Sequence, residues 1–509
     1  MTISNKQFAV LAGELKNLLD SEASDAISHA RALAAAHAGD GNLLLLVAGT
    51  LVDAGKAARD LEAVEEGIKY FETLVAGFPE HLSIAYNLAN GLIARANLSW
   101  TAYPDWYLQT MHDRARARRL YAVVATADVV EEELRAQAHT NLAVMLADAY
   151  RYSEAYDNYS RALELDPING VARVNAARLL LRFAREGAND NDAMHAVAVH
   201  HLKVAKQNPA RIRELVSEAD FKKLAELFDQ DLPAVEVPDL SGASDYQRFV
   251  AEHRLFLADT IEGLDASLTR WDTLRLDGIS DGPDAVNGPP PVFAMFNILK
   301  ADYLAARHMA FLALTKDVTD SGSYSDTCDG ALYGVANALM TLAQRACLDV
   351  LDKVAVLASA YLKLPVDPQQ IYFRNVWFEP SKRGEPLRWK ETICSELTHG
   401  NTALIALSEL ARDISEGGYL ELKKAMRHAS THRFAVLHDG KPDIQRKSAF
   451  IEHYARSDFV NHLVDTLQMA RAAINYVARM IARHEAIHDD GTPKTELDIR
   501  EFDPDDGDS

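Results

Sequence analysis

The chain of 509 residues has only three cysteines, Cys328, Cys347 and Cys394, and no C-x-x-C among them. That argues against a disulfide framework or a cysteine-built zinc site and suits a reducing cytoplasm. Glycine (25) and proline (17) are sparse, and abundant Ala, Leu, Glu and Arg favour helix over sheet. The N-terminus, MTISNKQFAV, lacks a charged segment followed by an apolar core, so no signal peptide is expected. The most apolar early run, Leu43 to Val52, is too short to cross a bilayer. Basic residues are in deficit: 53 Lys and Arg stand against 74 Asp and Glu, a formal net charge of −21. Such a balance argues against indiscriminate nucleic-acid binding but leaves room for a local basic cleft. Residues 489–509 hold seven Asp and two Glu against one Lys and one Arg. With no apolar periodicity, they read as a disordered acidic tail.

What is present is helical and partly repetitive. Ala136 to Pro167 has small residues at Ala143, Ala155 and Ala162, an aromatic at Tyr159 and a closing proline. This is the tetratricopeptide (TPR) pattern, in which small residues let paired helices approach and proline stops the second helix. Weaker units show Gly67, Phe71 and Pro79; Ala117 and Tyr121; and a pair ending at Pro209. An irregular insert near Trp100 and Trp106 interrupts them. Three to five degenerate hairpins over 1–235 are expected, since solenoids need stacked units to bury a continuous core. The alternative is a generic helical bundle with chance spacing.

Asp231 to Ala243, rich in Pro and Gly, reads as the boundary. A second loop spans Asp277 to Pro291. Long helical patterns then dominate residues 244–488: one from Val292, one of unusual length through Leu364, one over Asn401 to Ile414, one over Leu420 to Leu437, and a last one through His484. No alternating strand pattern competes. The fold class is all-α: a TPR-like helical-hairpin solenoid followed by a helical bundle.

Several stretches of the second part carry a family resemblance. MFNILKADYLAARHM is like a first long helix, CLDVLDKVAVLASAYLKL a second, YFRNVWF a connecting segment, LKKAMRHASTHRF a motif helix and QMARAAINYVARMIARHE a last helix. In this order they resemble the HEPN superfamily (higher eukaryotes and prokaryotes nucleotide-binding domain). More narrowly, they look like the large bacterial HEPN subfamily that often carries TPR-like repeats in front. The signature of that superfamily is Arg, a polar residue, three variable residues and His. Arg427-His428-Ala429-Ser430-Thr431-His432 fits it, with His428 where Asn is common.

Five Arg-x4-His pairs occur: Arg248/His253, Arg427/His432, Arg433/His438, Arg479/His484 and Arg483/His488. Only those at 427 and 483 place a polar residue after Arg, and the flanks LKKAM and RF select 427. The resemblance implies an endoribonuclease that needs no metal or cofactor. His432 is the acid/base, Arg427 holds the phosphate, and the products carry a 2′,3′-cyclic phosphate and a 5′-hydroxyl. The residue types suit the chemistry. A histidine near neutral pKa takes the 2′-hydroxyl proton, and the guanidinium fork holds charge developing on phosphate. Residues five apart on a helix point about 140° from each other, so one chain does not pair them tightly. HEPN proteins resolve this by dimerising, and a homodimer is expected. Family context suggests antiviral (antiphage) defence or a growth-arresting toxin.

Lys423, Lys424 and Arg433 flank the motif, and Arg374 and Trp377 stand in an aromatic, basic stretch, as RNA binding would use. The aromatics there also read as loop-packing core. His484-Glu485-Ala486-Ile487-His488 matches H-E-x-x-H, the zinc peptidase pattern. A third ligand is not visible and charged Asp489 follows, so no metal is assigned. His428 and His432, at i and i+4, also lack a clear third ligand. His438, His453 and His462 read as ordinary polar helix residues. The competing function is a non-catalytic scaffold that dimerises and binds a protein or nucleotide, with Asn141 and Asn175 facing a peptide groove of the array. Neither reading involves a membrane.

Overall fold

The computed structural model describes residues 4–491 apart from 38, 187–191, 229–238, 264–270, 277, 281–287, 316–317, 381–384, 416, 422–433, 443, 445–447 and 490. The expected boundary (Asp231 to Ala243), the loop from Asp277 and the acidic tail lie largely outside the described residues.

The N-terminal part is a run of helices: α1 (Asn5–Ser21), α2 (Ala23–Ala36), α3 (Gly41–Ala58), α4 (Leu61–Gly77), α5 (Leu82–Leu98), α6 (Asp105–Thr126), α7 (Glu132–Asp148), α8 (Tyr152–Leu165), α9 (Gly170–Glu186) and α10 (Asp192–Gln207). Each packs on the next. Side chains fix where several begin. Asp40 accepts from the backbone N–H of Asn42 and Leu43, and Asp60 from that of Ala63, satisfying donors that a helix start leaves orphaned. Small residues set the spacing: a Cβ at Gly67 would sit 2.8 Å from the Ala48 carbonyl oxygen, so α4 lies against the α3 backbone. The strongest expected repeat unit, Ala136 to Pro167, is the hairpin α7–α8, with Ala143, Ala155, Tyr159 and Ala162 buried. Among the described residues α3 alone is long and apolar enough to cross a membrane; here Leu43, Val47 and Leu51 of α3 are fully buried in the array.

Short helices α11 (Pro209–Leu215), α12 (Glu218–Ala225) and α13 (Asp245–Glu252) lead to the C-terminal part. There α14 (Pro291–Thr315) and α15 (Val335–Tyr361) form a long hairpin. Then come α16 (Glu391–Thr398), α17 (Ala403–Ile414) and α18 (Arg456–Ile487). Helix α18 packs on α14, α15 and α17 and buries Phe459, Leu463, Leu467, Ile474, Val477 and Ile481, an i, i+4, i+8 stripe facing the core.

One expectation is overturned. The helix foreseen over Leu420 to Leu437 does not run through its last residues: Phe434–His438 is a strand, β2. It pairs parallel with β3 (Ile451–Ala455) and antiparallel with β1 (Ala331–Leu332). Five residues such as FAVLH fit either period, and pairing with two distant segments decides for strand.

The two parts share a core. Trp106, Tyr107 and Met111 of α6 belong to the apolar cluster built by α14, α15, α17 and α18. The insert that interrupts the repeat pattern is therefore the segment that docks the array, although Trp100 stays exposed. Buried charge reinforces the joint. Arg118 donates from Nε to Asp413 at 2.8 Å and from Nη2 to Glu409 at 2.6 Å. Arg151 pairs with Glu154 through Nε and Nη2 and with Asp413. Arg114 Nη2 lies 3.2 Å from Glu409 Oε1, in ion-pair contact. Three guanidiniums thus face three carboxylates. Burial alone would lower the Arg118 guanidinium, but the charges of Asp413 and Glu409 outweigh it and raise it above its ordinary value. A second node is Asp157 of α8, which accepts from Arg254 Nε and Arg471 Nη2, each at 2.8 Å.

Candidate functional site

Arg427, His428 and His432, with Lys423, Lys424 and Arg433, lie outside the described residues. The chain enters that stretch at Leu420, whose N–H donates to the Asp413 carbonyl at 3.0 Å, and at Glu421. It emerges at Phe434, the first residue of β2, which is exposed. The Phe434 N–H donates to the carbonyl of Phe450, also exposed, at 2.9 Å.

Leu420 and Glu421 line a cavity of about 550 Å³ between the array and the bundle. Its polar wall contains Arg119, His139, Arg161 and His462 along with Glu154, Asp157, Glu421 and Asp465. Arg161 donates to Asp465 and to Gln468 (2.7 Å for the latter). His139 Nδ1 lies 3.0 Å from Asn158 Oδ1, and burial pushes its imidazole down to about 4, so it is neutral at pH 7. The described wall is thus mixed in charge, with four carboxylates against the two guanidiniums of Arg119 and Arg161.

The aromatic stretch does not present a base-stacking platform at Trp377. That expectation is corrected: Trp377 is fully buried, donates Nε1–H to the Phe373 carbonyl at 2.6 Å and meets the Phe373 ring edge-on. Trp389 is buried against Phe378, their ring centroids 5.2 Å apart. Arg374 and Tyr372 do reach the surface, with the guanidinium 5.8 Å from the ring centroid. Asn141 is likewise engaged within the array, donating to Tyr86 Oη at 2.9 Å. Asn175 lines a separate cavity of about 700 Å³ with Arg178 and Arg182.

Of the other Arg-x4-His pairs, Arg479 is spent on the domain joint, stacked 3.9 Å over the Phe183 ring. His438 sits on β2 beside His453 of β3, Nε2 to Nδ1 at 2.8 Å, and its own Nδ1 is 3.1 Å from the Asp329 carbonyl. A carbonyl only accepts, so His438 donates from Nδ1 and receives at Nε2 from His453. The expectation of helix residues is corrected for these two: both stand on strands, and they meet only through the strand register, which no local pattern signals.

A further constellation gathers at the end of α18. His484 Nδ1 and His488 Nε2 lie 3.0 Å and 2.8 Å from the same oxygen, Oε1 of Glu396 on α16. The ligand atoms of the three residues all lie within 4.8 Å of one another. The other carboxylate oxygen, Oε2, accepts from Asn401 Nδ2 at 2.9 Å. The Glu396 carboxyl is held down at about 2: burial opposes this, and the hydrogen bonds from His484, Asn401 and His488 prevail. Glu485 points elsewhere. It accepts from the Tyr361 hydroxyl and, at 3.0 Å, from the Ser280 N–H. The third group that the H-E-x-x-H motif lacked in the sequence is therefore Glu396, almost ninety residues upstream. The peptidase reading loses its base.

No curated protein matches the chain. Residues 284–484 match the family described as LA2681-like HEPN. The match begins ahead of α14 and ends three residues short of the end of α18, so it takes in the long hairpin, the sheet, the 422–433 stretch and the last helix. The C-terminal part of this chain is a HEPN domain, preceded by an N-terminal helical array.

Proposed function

We propose that the protein is a metal-independent endoribonuclease of the HEPN type, carrying a TPR-like arm that senses a signal or binds a protein. The observation that carries this reading is the family match over 284–484, within which Arg427, His428 and His432 hold the signature spacing. In this proposal Arg427 binds the scissile phosphate and His432 moves the 2′-hydroxyl proton. Lys423, Lys424, Arg433 and Arg374 steer the RNA. The working unit is a homodimer, and the exposed Phe434 and Phe450, joined backbone to backbone at the exit of the motif stretch, suit a face that a second copy covers. The setting is cytoplasmic, in antiphage defence or toxin-like growth arrest.

A second reading, a non-catalytic scaffold, draws on one observation: carboxylates outnumber guanidiniums four to two on the described wall of the cavity at Glu421, which does not favour a polyanion.

The deciding experiment expresses wild type beside Arg427→Ala and His432→Ala and follows growth, RNA integrity and the chemistry of RNA ends, with and without phage. Cleavage leaving 2′,3′-cyclic phosphates in wild type alone supports the nuclease. Intact RNA in all three, with the protein folded and dimeric, supports the scaffold.

A further inference from the structure

We infer that Glu396, His484 and His488 form a binding site for one divalent transition-metal ion of the zinc class, which staples α16 to the C-terminal end of α18. This is independent of the RNA-cleavage reading. From Arg456 to His484 the helix rises about 42 Å at roughly 1.5 Å per residue, so the site stands at the opposite end of α18 from β2 and β3.

The argument starts from the donor set. Two imidazoles at i and i+4 share a helix face, and a carboxylate from a second element completes the His2Glu combination that zinc favours. A tetrahedral zinc ion keeps its donor atoms about 3.4 Å apart, given Zn–N bonds of roughly 2.0–2.1 Å. The three ligand atoms already converge to within 4.8 Å, so small side-chain rotations close the set. The outer contacts are those of a prepared carboxylate. Asn401 Nδ2 binds Glu396 Oε2 at 2.9 Å and is itself tied to the Met480 carbonyl at 3.0 Å on α18. One carboxylate oxygen is thereby fixed in orientation and the other, Oε1, faces the histidines.

Glu396 is also 4% exposed, and a buried carboxylate requires a compensating cation. Solvent access is kept on the histidine side, where His488 is half exposed, so an ion has a path in and a water molecule can take the fourth position. His399, one turn beyond Glu396, stands close by with its ring 6.5 Å from that of His488. It uses Nδ1 on the Ser395 carbonyl at 2.8 Å, leaving Nε2 as its lone-pair nitrogen. Because Glu485 is engaged by Tyr361 and Ser280, it is not placed to activate a metal-bound water, and the ion's role is structural. An N2O donor set is suited to Zn, Co or Ni rather than to Ca or Mg.

The test uses full-length protein stripped with chelator and then titrated with zinc or cobalt. Wild type is expected to take up one equivalent per chain, to show the intense visible spectrum of four-coordinate cobalt, and to unfold at a higher temperature when loaded. His484→Ala/His488→Ala should lose the equivalent and the spectrum, and Asn401→Ala should weaken affinity about 10- to 100-fold. Because the double variant can disturb the end of α18, His488→Ala alone, judged folded by circular dichroism, is the second variant. Zinc uptake and thermal shift equal in wild type and the folded His488→Ala variant, or no uptake by wild type, would overturn the site.

Discussion

Asp413 of the C-terminal bundle is held by Arg118 and Arg151 of the N-terminal array at once, and all three side chains are fully buried. Burial keeps bulk solvent from this contact, and each ion depends on the others for its charge balance. The array is therefore not a loosely tethered arm. A change that shifts α6 or α8 must either carry α17 with it or uncover these charges.

Asp413→Ala leaves two guanidiniums buried and underpaired, and we expect it to cost roughly 3–5 kcal/mol. Denaturant midpoints of the intact protein measure this. Adding Arg118→Met should recover part of the loss, since Arg114 with Glu409 and Arg151 with Glu154 then balance in charge. A loss below about 1 kcal/mol in the single variant would mean that water reaches the site.

Trp377→Ala should act as a core deletion, with a loss of about 3–5 kcal/mol and no specific change in RNA association where the protein remains folded. Arg374→Ala, at the surface nearby, should leave stability within about 0.5 kcal/mol. If Trp377→Ala instead weakens RNA binding at unchanged stability, its burial does not describe the working state.

Acid should destabilise the array through histidines kept neutral by burial. His139 is pushed down to about 4 and His201 to about 3, whereas in the unfolded chain both take protons near 6.5. Below that value the unfolded state binds more protons, so stability falls as pH drops from about 6.5 towards 4 for His139 and 3 for His201. For His139 the loss at pH 5 is roughly 2 kcal/mol. Unfolding curves at pH 7.5 and 5.0 should show a smaller acid loss in His139→Gln than in wild type; identical losses would contradict the buried neutral state.

Two glycine substitutions should differ in sign. Gly67→Ala drives a methyl into the Ala48 carbonyl oxygen at 2.8 Å and Val52 Cγ2 at 2.9 Å, so a cost of about 1–3 kcal/mol is expected. Gly13, within α1, has nothing within 4 Å of the added carbon, and Gly13→Ala should stabilise by up to about 1 kcal/mol. Thermal melts of the two variants compare them directly.

The helices were legible because their cause is local. Alanine and leucine propensity, apolar residues at 3.6-residue spacing and capping Asp residues act within a few positions of one another, so α7–α8, α14, α15 and α18 stand in the sequence much where the fold has them. The HEPN resemblance was legible for the same reason, being carried by those helices in order. What the tertiary structure alone decided are the meetings of distant residues. FAVLH became a strand because Ile451–Ala455 and Ala331–Leu332 supply its hydrogen bonds. Trp377 went inward because the Phe373 carbonyl and ring receive it. Glu396 joined His484 and His488, and Asp413 joined Arg118 and Arg151, across separations of 88 to 295 residues. No periodicity encodes such pairs: an ion chooses its partner by where low-dielectric packing brings opposite charge within reach, and that is a property of the folded chain.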